Sequence, residues 1–402
     1  MSLLSGLPKP TRRALQWDAI SATLSGFFNG ALFPFLGVIA RSELHASSFM
    51  LACLNASGSI GNLLNPVMAH HIRDRRKLPY VVWPFAIGRL FFLLMPLAFI
   101  APVFIAISFI ANATLALAAP GYAAIIRDAY PVERRGQLMG WVRVIFVGMS
   151  MLGSLVGGFL LIKHGNYRWA FPLVTILGLA SAAAFARVGV QAEPDCDTPI
   201  VKSRLLDAFH AAKHDKAFKL YATCFYLYGF GNLIMGPVVP VFQVDQLHIT
   251  AQWVGYLATA SAAASVLGYL YWGKILDRFG PFRLMLFVVS ILSITGITYA
   301  LARSVPVLLI ASAAQGLAFS GGDLGYASAA MRFGKRDSAA AYAGTWAFLQ
   351  ACRGIPGPFL GAFLLNQVGP RPVFLLSLCC WAASASVIIF GGGLRLKPCE
   401  EE

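Results

Sequence analysis

Gly273-Lys274-Ile275-Leu276-Asp277-Arg278-Phe279-Gly280-Pro281-Phe282-Arg283 has a counterpart 203 residues earlier, His70-His71-Ile72-Arg73-Asp74-Arg75-Arg76-Lys77, in which Ile72, Asp74 and Arg75 align with Ile275, Asp277 and Arg278. The same offset joins Gly26-Phe27-Phe28-Asn29 to Gly229-Phe230-Gly231-Asn232, Pro34 to Pro237 and Leu44-His45 to Leu247-His248. One inserted residue then moves the register to 204, where Gly121-Tyr122 meets Gly325-Tyr326, Gly153 meets Gly357, and Gly157-Gly158-Phe159 meets Gly361-Ala362-Phe363. Any one pair of glycines recurs by chance; a constant offset across half of a 402-residue chain does not. The chain is a duplication.

Composition identifies the solvent. Hydrophobic residues make up 58% and charged residues 12%, against about 25% charged in an ordinary soluble domain, and the mean hydropathy is +0.68. Twelve apolar stretches follow: 17–40, 48–69, 79–100, 102–126, 137–162 and 168–189, then 219–242, 251–272, 283–302, 306–331, 338–365 and 372–394. Each is near or above the roughly 20 residues that a helix needs to cross about 30 Å of hydrocarbon, and none alternates with the period of two of a membrane barrel. The expected fold is therefore all-α and integral to the membrane, with twelve transmembrane helices (spans 1 to 12) in two pseudosymmetric six-helix bundles. Residues 14–189 form the N-terminal bundle and 219–394 the C-terminal one. Between them, 190–218 reads as a cytoplasmic linker: Glu193-Pro194 to Pro199 stops the helix, and Leu205, Leu206, Phe209, Ala212 and Phe218 then recur at helical spacing among lysines, as in an amphipathic helix lying on headgroups.

Placing the N-terminus inside puts 24 of the 32 Lys and Arg residues on that side and five, Arg41, Lys163, Arg168, Arg303 and Arg371, outside. This asymmetry predicts both termini in the cytoplasm of a multi-pass inner-membrane protein. The net charge of +15 is thereby a matter of topology; its dispersal over short loops argues against nucleic-acid binding. Seven cysteines without CxxC spacing indicate neither a disulfide framework nor a zinc site. No metal or cofactor is expected, the adjacent His70 and His71 pointing apart on a helix end.

The quoted stretch resembles the signature G-x-x-x-D-R-x-G-x-x-R of the major facilitator superfamily, with Gly273, Asp277, Arg278 and Gly280 at its positions and Asp74 and Arg75 in the weaker N-terminal copy, which lacks the glycines. The resemblance covers nearly the whole chain. It implies a transporter working by alternating access between two halves. The acids would meet the positive N-terminal ends of neighbouring helices, span 11 for Asp74 and span 5 for Asp277, and hold the inner face shut. Gly153-Ser154-Leu155-Val156-Gly157-Gly158 is similar to the family's exporter element G-P-x-x-G-G, with Ser154 in place of proline; Gly357-Pro358-Phe359-Leu360-Gly361-Ala362 is its near copy. Pro237-Val238-Val239-Pro240 resembles a second exporter element, which exporters carry in span 1. Close helix packing explains the same glycines equally in an importer.

Ionisable groups inside the bilayer are costly and are functional candidates by default. Asp323 (span 10), Arg143 (span 5), Arg353 (span 11) and Arg89 (span 3) lie well inside, and Asp18 is at the cytoplasmic mouth of span 1. Since spans 1, 4, 7 and 10 line the cavity in the family fold, Asp323 is a candidate for proton coupling or gating, with Arg143 and Asp18; a permanent Asp323–Arg143 pair is the structural alternative. Arg353 would orient an anionic substrate or cap a broken helix, and Arg89 has no assigned role. Asn29, Asn112, Tyr228, Asn232, Gln315 and Tyr326 are the uncharged cavity candidates. Walls otherwise of Phe, Leu and Ala suit an amphiphilic organic solute. The expectation is a monomeric, proton-coupled exporter of a small organic solute, not an enzyme; the alternatives are an importer or facilitator of an organic anion and a non-transporting membrane sensor.

Overall fold

The computed structural model describes residues 7–72, 75–131, 134–162, 165–189, 216–332, 349–350 and 352–393. It is helical, with no strand among the described residues. Where they are described, the apolar stretches fall mostly on helix, and among the described residues eight helices are individually long and apolar enough to cross a membrane. Lipid contains no water to satisfy backbone N–H and C=O groups, so each stretch must satisfy its own. Large apolar side chains such as Phe159, Leu270, Ile310, Phe363 and Phe390 are exposed, a distribution suited to a hydrocarbon surround.

Span 1 is one helix, Lys9–Ser42. Span 2 breaks at Leu64 into Ser48–Leu63 and Asn65–Ile72, because Pro66 has no N–H to continue the ladder. Span 3 tightens from Pro79–Leu90 into a 3₁₀ segment, Phe91–Leu97, which contains Pro96. Span 4 divides ahead of Pro120 into Ala101–Ala116 and Ala119–Ala129. Spans 5 and 6 are Arg135–Leu160 and Tyr167–Phe185. Span 7 begins at Lys216, inside the expected linker, and runs to Met235, where Gly236-Pro237 turns it. The amphipathic linker helix lies outside the described residues. Spans 8 and 9 differ from expectation: helix runs straight through the signature over Ala251–Leu301, broken only at Gly280 (φ 78°, ψ 174°) ahead of Pro281. That left-handed angle is one that glycine adopts at little steric cost. Spans 10, 11 and 12 are Leu308–Arg332, Pro356–Val368 and Pro370–Phe390.

The duplication is repeated in the turns. His45 (φ 52°) and His248 (φ 49°) are the two non-glycine residues with positive φ among those described, and Gly165 (φ 77°) and Gly369 (φ 81°) are likewise equivalent. Past His45 the Ala46 N–H bonds Ala40 O at 2.8 Å; past His248 the Ile249 N–H bonds Gln243 O at 3.0 Å. Both bonds close a turn of seven residues, one more than the six-residue closure of a Schellman cap.

The chain forms two compact units. One holds Met1–Ala46, Ser57–Pro199 and Thr250–Thr259; the other holds Ser47–Ala56, Ile200–Ile249 and Ala260–Glu402. Each unit therefore contains ten residues from the opposite sequence half. In the first, span 1 packs chiefly on spans 5 and 6, and Phe28, Phe33 and Phe92 meet edge-on at 5.9 to 6.2 Å. In the second, span 7 packs on spans 11 and 12, and Phe242, Tyr299 and Phe374 meet at 5.1 to 6.1 Å.

Candidate functional site

Within the first unit, the sequence Gly26-x-x-x-Gly30 brings span 1 onto the Phe146 and Ser150 carbonyls of span 5, while Gly153 and Gly157 face Phe27 and Ala31 in return. Small residues four apart permit this backbone-to-backbone approach. Gly158 faces the other way, onto Ala251, Gln252 and Gly255 of span 8. Ser154, in the place of the exporter proline, lies 2.9 Å from the Thr259 hydroxyl. In the second unit Gly361 meets the Ile234 backbone and Gly357 the Leu233 side chain, with Pro358 buried beside them.

Asp18 corrects the sequence reading. The helix starts at Lys9, two turns before the apolar stretch, so Asp18 is no longer at its end, and the residue is 2% exposed. Tyr130 donates to Asp18 Oδ2 at 2.7 Å, and the Tyr122 hydroxyl lies 3.5 Å from both carboxylate oxygens. No ion pair to Asp18 occurs among the described residues. One turn further in, Ser21, Ser25 and Ser181 form a hydroxyl cluster that ends on Arg89: the Ser25 and Ser181 hydroxyls are 2.5 Å apart, and Arg89 Nη2 donates to Ser25 Oγ at 2.7 Å. Arg89 is 4% exposed, its guanidinium 4.8 Å from the Phe85 ring and 5.6 Å from that of Phe28, while its Nε and Nη1 have no hydrogen-bond partner among the described residues. Arg143 is exposed within this unit, near the Phe146 ring. Asn29 and Asn112 are half-buried, and Asn112 Oδ1 is buried without a partner among the described residues.

In the second unit, Asp323 is half-buried and accepts a 2.8 Å hydrogen bond from the Tyr269 hydroxyl of span 8. Gly321 and Gly322 admit two aromatic side chains to this turn: Trp272 beside Gly321, and the Tyr228 hydroxyl beside Gly322. The Tyr228 carbonyl accepts from Trp381 Nε1 at 3.1 Å and from Asn232 Nδ2 at 3.2 Å. Arg353 is 6% exposed and wedged against Gly229; it donates to the Phe225 carbonyl and, at 2.8 Å, to Gln350 Oε1, above the Phe225 ring. Its guanidinium brackets spans 7 and 11. Gln315 is half-buried, and Tyr326 lies on span 10 just beyond the last described side chain. In the signature, Asp277 and Arg278 are exposed, and Gly273 has open space around it. Arg75 is also exposed, whereas Asp74 lies outside the described residues.

Three partners were not found from sequence, Tyr130 and Tyr122 on Asp18 and Tyr269 on Asp323. Tyr269 has Pro66 as its repeat counterpart, so the duplication carries no signal for it. Tyr122 did have one, standing in the matched pair that nominates Tyr326.

The model of the Major Facilitator Superfamily matches residues 19–351 and again 221–391. No curated protein matches the chain. Among solved structures, a mutant of the nucleoside transporter NupG superposes with a TM-score of 0.75 at 13% identity, covering 94% of this chain and 99% of that one. A bacterial homologue of the human lysosomal transporter Spinster, inward-facing and unoccupied, gives 0.68 at 14% identity over 97% and 98%. NupG in a further structure gives 0.67 at 13% over 96% and 99%.

Proposed function

Since the chain belongs to the major facilitator superfamily, we propose that it is a secondary transporter that expels a small organic solute through the cytoplasmic membrane in exchange for protons. It works as a monomer with both termini in the cytoplasm. The observation that carries this reading is Asp323, a carboxylate deep in span 10, half-buried and hydrogen-bonded by a tyrosine of span 8. A carboxylate whose hydration changes between two states can take up a proton in one and release it in the other. Tyr228, Asn232 and Gln315 supply scattered polar groups on the same unit. The importer reading needs Arg143 or Arg353 as counter-ion for an organic anion, and it has less support because the Arg353 guanidinium is engaged by Phe225 and Gln350.

Sealed vesicles holding the purified protein test this directly. With a panel of labelled amphiphilic compounds, movement of at least one should follow an imposed pH gradient in direction and extent. Movement that ignores the gradient would remove proton coupling; no movement of any compound would favour a sensor.

The gate has its own test. On this reading Asp74 and Asp277 hold the inner face shut by meeting helix N-termini, contacts worth about 0.3–2 kcal/mol each. Asp277→Asn should raise the inward-open population up to about thirtyfold and slow transport, with near-normal expression. Equal accessibility of cysteines introduced on the two sides, in variant and parent, would count against the clamp.

A further inference from the structure

On the outer surface of the first unit, the break at Leu64 and the prolines of span 3 leave a groove of about 540 Å³, within the roughly 300–1,000 Å³ of ligand sites. Its wall is apolar along Met68, Trp83, Pro84, Ile87 and Leu117, and it ends at Arg75 and Arg76. Trp83 is 64% exposed and Ile87 42%, so the groove opens outward from the helices that form it.

The charged end is built and not filled. Arg75 Nη1 donates to the Tyr80 hydroxyl at 3.1 Å and to His71 Nε2 at 2.9 Å, since a guanidinium can only donate. The nearby Asp128 is already taken by Lys77 at 2.5 Å and Arg127 at 3.4 Å. Neither Arg75 nor Arg76 has a carboxylate partner among the described residues. Two cations at the membrane interface, an aromatic pair beside them and an apolar channel running into the hydrocarbon depth match one chemistry, a phosphate diester carrying an acyl chain.

We propose that this groove binds an anionic phospholipid, its phosphate on Arg75 and Arg76 and one acyl chain along Trp83, Pro84 and Ile87. Arginine suits this task because its planar fork engages phosphate oxygens in pairs. Tyr80 and His71 fix one fork in place before the lipid arrives. The site is independent of the solute pathway and of which way transport runs, so it can fail without the transporter reading failing.

Trp83 supplies the probe. The full chain is reconstituted in vesicles in which brominated phosphatidylglycerol or brominated phosphatidylcholine replaces part of a neutral background, and the Trp83 signal is isolated by difference from Trp83→Phe, leaving the other seven of eight tryptophans as a constant. Half-quenching should need up to about 25-fold less phosphatidylglycerol than phosphatidylcholine. Arg75→Gln with Arg76→Gln should erase that preference, roughly fivefold per arginine, while phosphatidylcholine quenching stays as in the parent. Should the double variant fold poorly, Arg76→Gln alone removes about half of the preference, because that side chain carries no bond among the described residues. Equal quenching by the two lipids in the parent, or a preference that survives in a well-folded variant, overturns the proposal.

Discussion

Asp323→Asn is expected to leave a protein that folds, binds and exchanges its solute but no longer concentrates it against a pH gradient. Asparagine nearly preserves volume and offers the same oxygen to the Tyr269 hydroxyl, 2.8 Å away in the parent, so what disappears is the ability to carry a proton. Counterflow in vesicles should stay within a few-fold of the parent while gradient-driven accumulation falls to background. A different outcome follows if Asp323 serves as the structural partner of Arg143. The variant then removes the partner of Arg143, and because that cation is exposed the cost is about 0–1 kcal/mol, which Arg143→Gln in the same chain should cancel. Accumulation at the parent rate by well-folded Asp323→Asn would eliminate this acid. Asp18, held by Tyr130 and 2% exposed, would then be the next to replace.

The second large effect is on folding. A Cβ at Gly153 would fall on the Phe27 carbonyl and within 3.0 Å of Ala31 N, so backbone meets backbone and no side chain can swing away. Gly153→Ala should cost about 1–3 kcal/mol, and Gly153→Leu should abolish recovery of folded protein. Gly148, on the same helix, has nothing within 4 Å of the equivalent point. Gly148→Ala should therefore be neutral or gain up to about 1 kcal/mol from helix propensity. Thermal unfolding of the purified variants distinguishes the two positions; a Gly153→Ala protein as stable as its parent would show that the motif glycines do not set the spacing of spans 1 and 5.

These contrasts show what was legible in the sequence. The apolar stretches and the offset of 203 to 204 are properties of composition along one dimension, and a membrane forces each stretch to be helical. The same offset recurs in the backbone at His45 and His248 and at Gly165 and Gly369. Helix ends were harder, because charge does not end a helix that leaves the bilayer: span 8 continues past Lys274 and Asp277 to the break at Gly280. The early start of span 1 at Lys9 hid Asp18 in the same way. Partners were hardest. Which tyrosine reaches which acid depends on how two helices are rotated about their axes, and nothing in spans 4 or 8 singles out Tyr130 or Tyr269.

The exchange of Ser47–Ala56 for Thr250–Thr259 bears on how such a chain arose and how it can be divided. A gene cut at the linker would encode two products, each lacking ten residues of its own compact unit and carrying ten that belong elsewhere. By this division neither product is a complete compact unit. Before the halves were fused, an ancestral six-helix protein with the same division would have lent this segment to a second copy of itself, a mutual domain swap. Fusion then turned an association governed by concentration into one fixed by the chain, and it allowed the two copies to differ: Asp18 has Tyr221 as its repeat counterpart, and Asp323 has Ala119.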